Sequence, residues 1–151
     1  DQYQSLRQQK KRPLFITGHS LGGAMATVAA SRLIHQDLPF TSVYTFGQPR
    51  SMSTATARIF NVEAKSRVFR FQNNNDLVTR APARLMGYSH VGTYVHIKED
   101  RTIHLEPGFW LRFVDSIDGA VGDLRERGLD GISDHQVEEY LRAVELWDLK
   151  S

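Results

Sequence analysis

The sequence predicts an α/β fold with a mainly parallel sheet flanked by helices. Three observations lead there. Short apolar runs alternate with amphipathic stretches through the N-terminal half, a Gly-flanked turn joins the first run directly to the first long helix, and the composition is that of a packed globular chain. Of 151 residues, 40% are hydrophobic and 24% charged, with Gly and Pro scattered rather than clustered, so residues 1–151 are read as a single domain with its own core.

The elements follow in order. Ser5 to Lys11 forms the polar end of a helix, and Pro13 to Thr17 is a short strand stopped by Gly18. From Leu21 to about His35 the residues Leu21, Ala24, Met25, Val28, Ala29 and Leu33 recur at helical spacing and define the expected packed face. Val43 to Phe46 is a second strand, Ser53 to Val62 a second amphipathic helix, and Arg67 to Phe71 a third strand. Strand, helix, strand, helix, strand implies parallel pairing through helical crossovers. After the polar loop Asn73 to Asp76, Thr93 to Ile97 and Arg101 to Leu105 form a hairpin around Glu99-Asp100. A helix from about Phe109 to Leu124 and a Gly-rich loop from Gly128 to Ser133 lead to a last amphipathic helix, with Val137, Tyr140, Leu141 and Val144 expected inside.

Several function classes drop out on composition. The net charge is only +2, and the one basic run, Lys10-Lys11-Arg12, has no aromatic residues interleaved with it, so nucleic acid is not an expected partner. There is no Cys, hence no disulfide and no thiolate metal site, and the compartment stays unassigned. No apolar run is long enough to span a bilayer, and Asp1 to Arg12 lacks the apolar core of a signal peptide. The histidines lack partners at metal-ligand spacing and no phosphate-binding loop is visible, so neither a metal nor any other cofactor is expected.

Gly18-His19-Ser20-Leu21-Gly22 fits the G-x-S-x-G pattern between a strand and a helix. The chain must reverse so sharply at the serine that residues two positions away nearly touch, which calls for glycine at 18 and 22. Ser20 is left exposed as a nucleophile. The N–H of Leu21, opening the helix, points at the oxyanion that forms when Ser20 attacks a carbonyl, assisted by the helix dipole.

A serine hydrolase built this way orders its partners Ser, then Asp or Glu, then His, which removes His19 and His35 as bases. Asp76 is the best acid, because it follows the third strand on the edge where carboxyl ends gather their loops. Of the later histidines, His96 and His104 lie within the hairpin, fixed by the sheet. His90 lies in a loop and stays open on this reading, as does His135 in Asp134-His135, a loop position just before an amphipathic helix.

Phe15 to Ala24 resembles the nucleophile segment of the class 3 lipase family, the fungal-type triacylglycerol lipases and their bacterial relatives. Tyr44 to Arg50 is similar to the strand and loop that follow in that family, and Asn73 to Pro82 to its acid segment. The resemblance implies an α/β-hydrolase fold. It also implies that His135 is the catalytic base and that His90 matches a non-catalytic histidine of the family; Asp134, adjacent to His135, reads from its position as a cap of the last helix rather than a triad member. The implied activity is hydrolysis of lipid esters such as triacylglycerols through an acyl-enzyme.

In that fold the second oxyanion donor, the first strands and the lid lie upstream of the nucleophile strand, so the chain is expected to be the C-terminal portion of a longer protein. The expected partners are a lipid or other ester substrate, the N-terminal portion of the same protein, and a membrane or lipid interface. Two other readings stay in play: a lipase-like module that binds lipid or protein without turnover, and an acyltransferase. The complete Ser20, Asp76 and His135 set argues against the first. Arg80 and Arg84 read foremost as solvated loop arginines, with anionic head groups as the alternative. Acyl-chain length and head-group preference are not legible.

Overall fold

The structure, a computed structural model, describes residues 2–9, 12–105 and 133–148. Its elements are α1 (Gln2–Gln9), β1 (Phe15–His19), α2 (Leu21–His35), β2 (Ser42–Phe46), β3 (Met52–Ser53), α3 (Thr54–Ala64), β4 (Val68–Asn73), β5 (Tyr88–Ser89), β6 (Thr93–Ile97), β7 (Ile103–Leu105) and α4 (Val137–Asp148). The predicted helix over 109–124 and most of the Gly-rich loop that follows it lie outside the described residues. Five strands form one sheet in the order β1-β2-β4-β6-β7. All neighbours are parallel except β7, which returns antiparallel on β6 as the expected hairpin. β3 and β5 make a separate antiparallel pair.

Both sheet faces are covered, which is why these strands are apolar on both sides rather than alternating cleanly. On one face Val43 and Val68 pack against Ala26 and Ala30 of α2 and Ala57 and Phe60 of α3. On the other, Phe71, Val95 and Ile97 pack against Tyr140 and Ala143 of α4, flanked by Tyr44, Phe46 and Phe69. Cross-strand rings tie β2 to β4, Tyr44 on Phe69 at 5.3 Å and Phe46 on Phe71 at 4.9 Å between centroids. Phe71, the buried ring of the four, contributes about 1.5–3 kcal/mol of burial, and the three half-buried rings less.

Two expected faces are corrected. In α2 the buried residues are Gly23, Ala26, Thr27 and Ala30, whereas Leu21 and Met25 are 68% and 65% exposed and Val28 and Ala29 also face outward. Leu33 alone of the expected set packs on the core, half-buried. The helix carries a second stripe, of small residues, and it is this stripe that lets the helix axis come close to the sheet. In α4, Tyr140 and Ala143 are buried and Val144 is half-buried, but Val137 and Leu141 are exposed. Among the described residues no helix is long and apolar enough to cross a membrane.

β1, β2 and β4 run parallel and finish on one edge of the sheet, at His19, Phe46 and Asn73. The loops that leave these three carboxyl ends therefore meet. That edge is where the candidate site lies.

Candidate active site

Ser20 stands between the last residue of β1 and the first of α2, with φ 55° and ψ −128°. A non-Gly residue at positive φ is strained, and here the surrounding bonds hold it: the Ser20 N–H donates to Phe46 O at 2.9 Å while its carbonyl accepts from Gly23 N–H at 3.0 Å. The reversal is so tight that a Cβ on Gly18 would lie 2.3 Å from Gly22 O. Gly18 is thus required. Gly22 is not required in the way the motif suggests, because a Cβ there meets nothing within 4 Å. The carbonyl of residue 22 crowds Gly18, and its own side-chain direction points away. Leu21 opens α2, so its N–H has no acceptor one turn earlier in the helix.

The structure brings Ser20, His135 and Asp76 together. His135 Nε2 lies 2.8 Å from Ser20 Oγ, and His135 Nδ1 lies 2.9 Å and 3.1 Å from Asp76 Oδ2 and Oδ1. A carboxylate facing Nδ1 fixes the proton there and leaves Nε2 as an acceptor for the serine O–H. Asp76 is fully buried, and each of its oxygens has a second donor: Val78 N–H to Oδ1 at 2.9 Å and Tyr140 O–H to Oδ2 at 2.6 Å. A buried carboxylate with every donor direction filled has one orientation available to it.

Tyr140 also accepts the Asn73 N–H at 3.0 Å. Burial, reinforced by the adjoining Asp76 charge and hydrogen bond, pushes the Tyr140 phenol far above its usual range, so it remains a donor. His19, excluded as a base by chain order, supports the imidazole from below. Its Nε2–H donates to His135 O at 2.7 Å, and the two rings lie 4.7 Å apart, tilted by 33°. Gly47, with φ 60°, passes so close that a Cβ there would be 2.8 Å from Asp76 Oδ2 and 2.9 Å from His135 Nδ1. By sequence alone Tyr140 is a core residue, His19 is excluded as a base and Gly47 ends a strand. The available signal was a single polar handle on an otherwise apolar stripe.

Asp134, expected as the cap of the last helix, is found instead on the acid segment. It stands two residues before the cap position of α4, and its carboxylate accepts from Asn74 Nδ2 at 3.1 Å and Asn75 N–H at 3.2 Å. Asn73 Nδ2 donates to Asp134 O at 3.1 Å. The Asn-rich loop thus locks the acid segment to the histidine segment.

His90 is placed apart from Ser20. Its Nε2–H donates to Thr79 O at 2.9 Å, and Thr79 Oγ1 donates to Asp76 O at 2.7 Å, so it braces the acid loop from behind. Burial, with Arg70 and Arg50 nearby, holds His90 well below the usual histidine range. His96 stays in the hairpin with its Nδ1 accepting from the Tyr94 hydroxyl at 3.0 Å, and His104 is exposed on β7. Among the described residues no three His, Asp or Glu side chains are grouped to hold a metal.

A strained serine at a strand-to-helix turn, met at the sheet edge by an acid and a base from later loops, follows the plan of the α/β-hydrolases. Comparison with known proteins agrees. The family model described as Lipase (class 3) matches residues 3–86, more than half of the chain, and the chain belongs to that family. It is 37% identical over 84 residues to the secreted mono- and diacylglycerol lipase A of Penicillium cyclopium, covering 56% of this chain and 27% of the relative. It is 31% identical over 110 residues to phospholipase A1-II 1 of Oryza sativa subsp. indica, covering 70% of this chain and 27% of the relative. A solved triacylglycerol lipase, described as having a serine protease triad at its catalytic centre, superposes with a TM-score of 0.59 at 29% identity, covering 68% of this chain and 40% of that one.

Proposed function

We propose that Ser20, His135 and Asp76 are the catalytic triad of a serine hydrolase that cleaves lipid carboxylic esters such as triacylglycerols. The observation that carries this reading is the unbroken hydrogen-bonded line from Ser20 Oγ through the imidazole to a buried carboxylate. Ser20 Oγ attacks the ester carbonyl while its proton passes to His135 Nε2, and Asp76 stabilises the imidazolium. The oxyanion accepts from the Leu21 N–H and from a second donor. His135 then protonates the leaving alcohol, and water repeats both steps on the acyl-enzyme, releasing the acid.

The second donor, with further strands of the sheet, belongs to the N-terminal portion of the same protein. This chain spans 27% of the length of the two relatives, and in the fold that donor comes from a loop ahead of the nucleophile strand.

A fluorophosphonate probe on the full-length protein tests the nucleophile. Wild type becomes labelled and hydrolyses soluble and emulsified esters. Ser20→Ala takes no label, and Ser20→Ala and His135→Ala each lose about six orders of magnitude in kcat. Labelling that survives in Ser20→Ala overturns the assignment. Product analysis with an added alcohol separates hydrolysis from acyl transfer.

A further inference from the structure

The base stands on a turn just ahead of α4, closed by Gln136 N–H on Ser133 O at 3.0 Å. Two further carbonyls of that turn are held by side chains from the ends of strands. Asn73, the last residue of β4, donates from Nδ2 to Asp134 O at 3.1 Å, and His19, the last residue of β1, donates from Nε2 to His135 O at 2.7 Å. The two clamps do different things. Asn73 lies three residues before Asp76, so its bond ties the base to the acid. His19 directly precedes Ser20, so its bond ties the base to the nucleophile.

Strand geometry puts the His19 ring where it can do this. Side chains alternate along β1, and Ile16 packs into the core beneath α2 and α3, so His19 faces the other side of the sheet, the side covered by α4. There its ring wedges between two others, His135 at 4.7 Å and Tyr140 at 5.9 Å, the latter edge-on. A ring nitrogen that meets a carbonyl carries its proton on that side, which assigns the hydrogen to Nε2. The main chain of His19 is paired with Phe46 of β2, and the next N–H, that of Ser20, donates to Phe46 O at 2.9 Å. His19 and Ser20 therefore move as one.

We propose that His19 is a positioning residue for ester hydrolysis: its Nε2–H, bonded to the His135 carbonyl, holds His135 Nε2 within hydrogen-bonding reach of Ser20 Oγ. This rests on the triad reading above. The bond from His135 Nδ1 to Asp76 sets the rotation of the imidazole, but acid and base can shift together without breaking it. Their distance from Ser20 needs a tie between the main chain of the base and the strand of the nucleophile, and the His19 bond is such a tie. When it is removed, the Asp76–His135 pair stays formed and the pair withdraws from Ser20. A misplacement of about 1 Å between reacting groups costs on the order of a hundredfold in rate.

The test compares two replacements in the full-length protein. His19→Phe keeps a ring between His135 and Tyr140 and removes the donor, whereas His19→Gln gives up the ring and keeps an N–H of similar reach. On a soluble ester, His19→Phe lowers kcat about a hundredfold with KM unmoved, and His19→Gln recovers kcat to within about fivefold of wild type. In both variants the downfield proton resonance of His135 Nδ1–H against Asp76 persists, because the base has kept its acid. Should His19→Phe not fold, His19→Asn, whose shorter amide does not reach the carbonyl, takes its place with the same expected loss. The proposal is overturned if the variant without the bond keeps the wild-type kcat or if His19→Gln is as slow as that variant. It is equally overturned if the Nδ1–H resonance disappears together with the rate, which makes His19 a general support of the fold. Failure of the triad reading shows itself differently, as fluorophosphonate labelling that survives Ser20→Ala, so the two failures are distinguishable.

Discussion

At the scale of single residues the proposed triad rests on groups outside it. Tyr140 is the clearest of them: its ring packs edge-on against Phe46 at 5.9 Å while its hydroxyl joins Asn73 N–H to Asp76. Tyr140→Phe keeps the ring and removes only the hydroxyl, leaving one buried N–H and one carboxylate oxygen short of a partner. The expected result is a loss of about 1–3 kcal/mol in stability and a kcat on soluble ester lowered about tenfold with KM unmoved, read by denaturant titration and steady-state kinetics. A purely structural tyrosine would move the first number and not the second. Ser20 and Asp76 were legible in sequence because the strand-to-helix turn and the polar loop after a strand each have a local signature. Residue order left His90 and His135 undecided, and only the family resemblance separated them. Tyr140 and Gly47 were not legible, because what matters about them is proximity to Asp76 across 64 and 29 positions of sequence, which no local pattern encodes.

At the scale of elements, the strand and helix order was readable but the buried face of α2 was not. Helical spacing found the stripe of large residues, and the sheet took the stripe of small ones. Gly23 marks the contact: a Cβ there would sit 3.1 Å from both Gln48 Cβ and Gly18 O and 3.3 Å from Thr45 Cβ. Gly23→Val therefore forces α2 off the sheet, and Ser20 with it, at a cost of about 1–3 kcal/mol. Gly22→Ala meets open space and gains helix propensity of up to about 1 kcal/mol. In the full-length protein the expected outcome is a Tm lowered by the first change and not by the second. A Tm lowered by Gly22→Ala as well would restore the reading in which both elbow glycines, 18 and 22, are sterically required. In α4 size does not decide the face: one large residue, Tyr140, and one small one, Ala143, meet the sheet, and Leu141 does not.

At the scale of the whole molecule, pH links the acid loop to global stability through His90. The ring is enclosed, its Nδ1 has no hydrogen-bond partner, and Arg70, Arg50 and Arg84 all oppose a positive charge on it, while Thr79 O alone favours one. The folded state therefore keeps His90 neutral below about pH 6.5, where an ordinary histidine of the unfolded chain takes up a proton. With more protons bound in the unfolded state, stability is complete above about pH 6.5 and falls as pH drops below it, by up to about 1.4 kcal/mol per pH unit for one group. Glutamine can keep the donation to Thr79 O without titrating. His90→Gln is thus expected to flatten the fall in stability between about pH 6.5 and pH 5, measured by denaturant titration across the range, where most carboxylates are still ionised. An unchanged slope in the variant would place the acid sensitivity elsewhere. His90 reaches Asp76 through Thr79, so the group that the fold must keep neutral is bonded to the loop that carries the proposed acid.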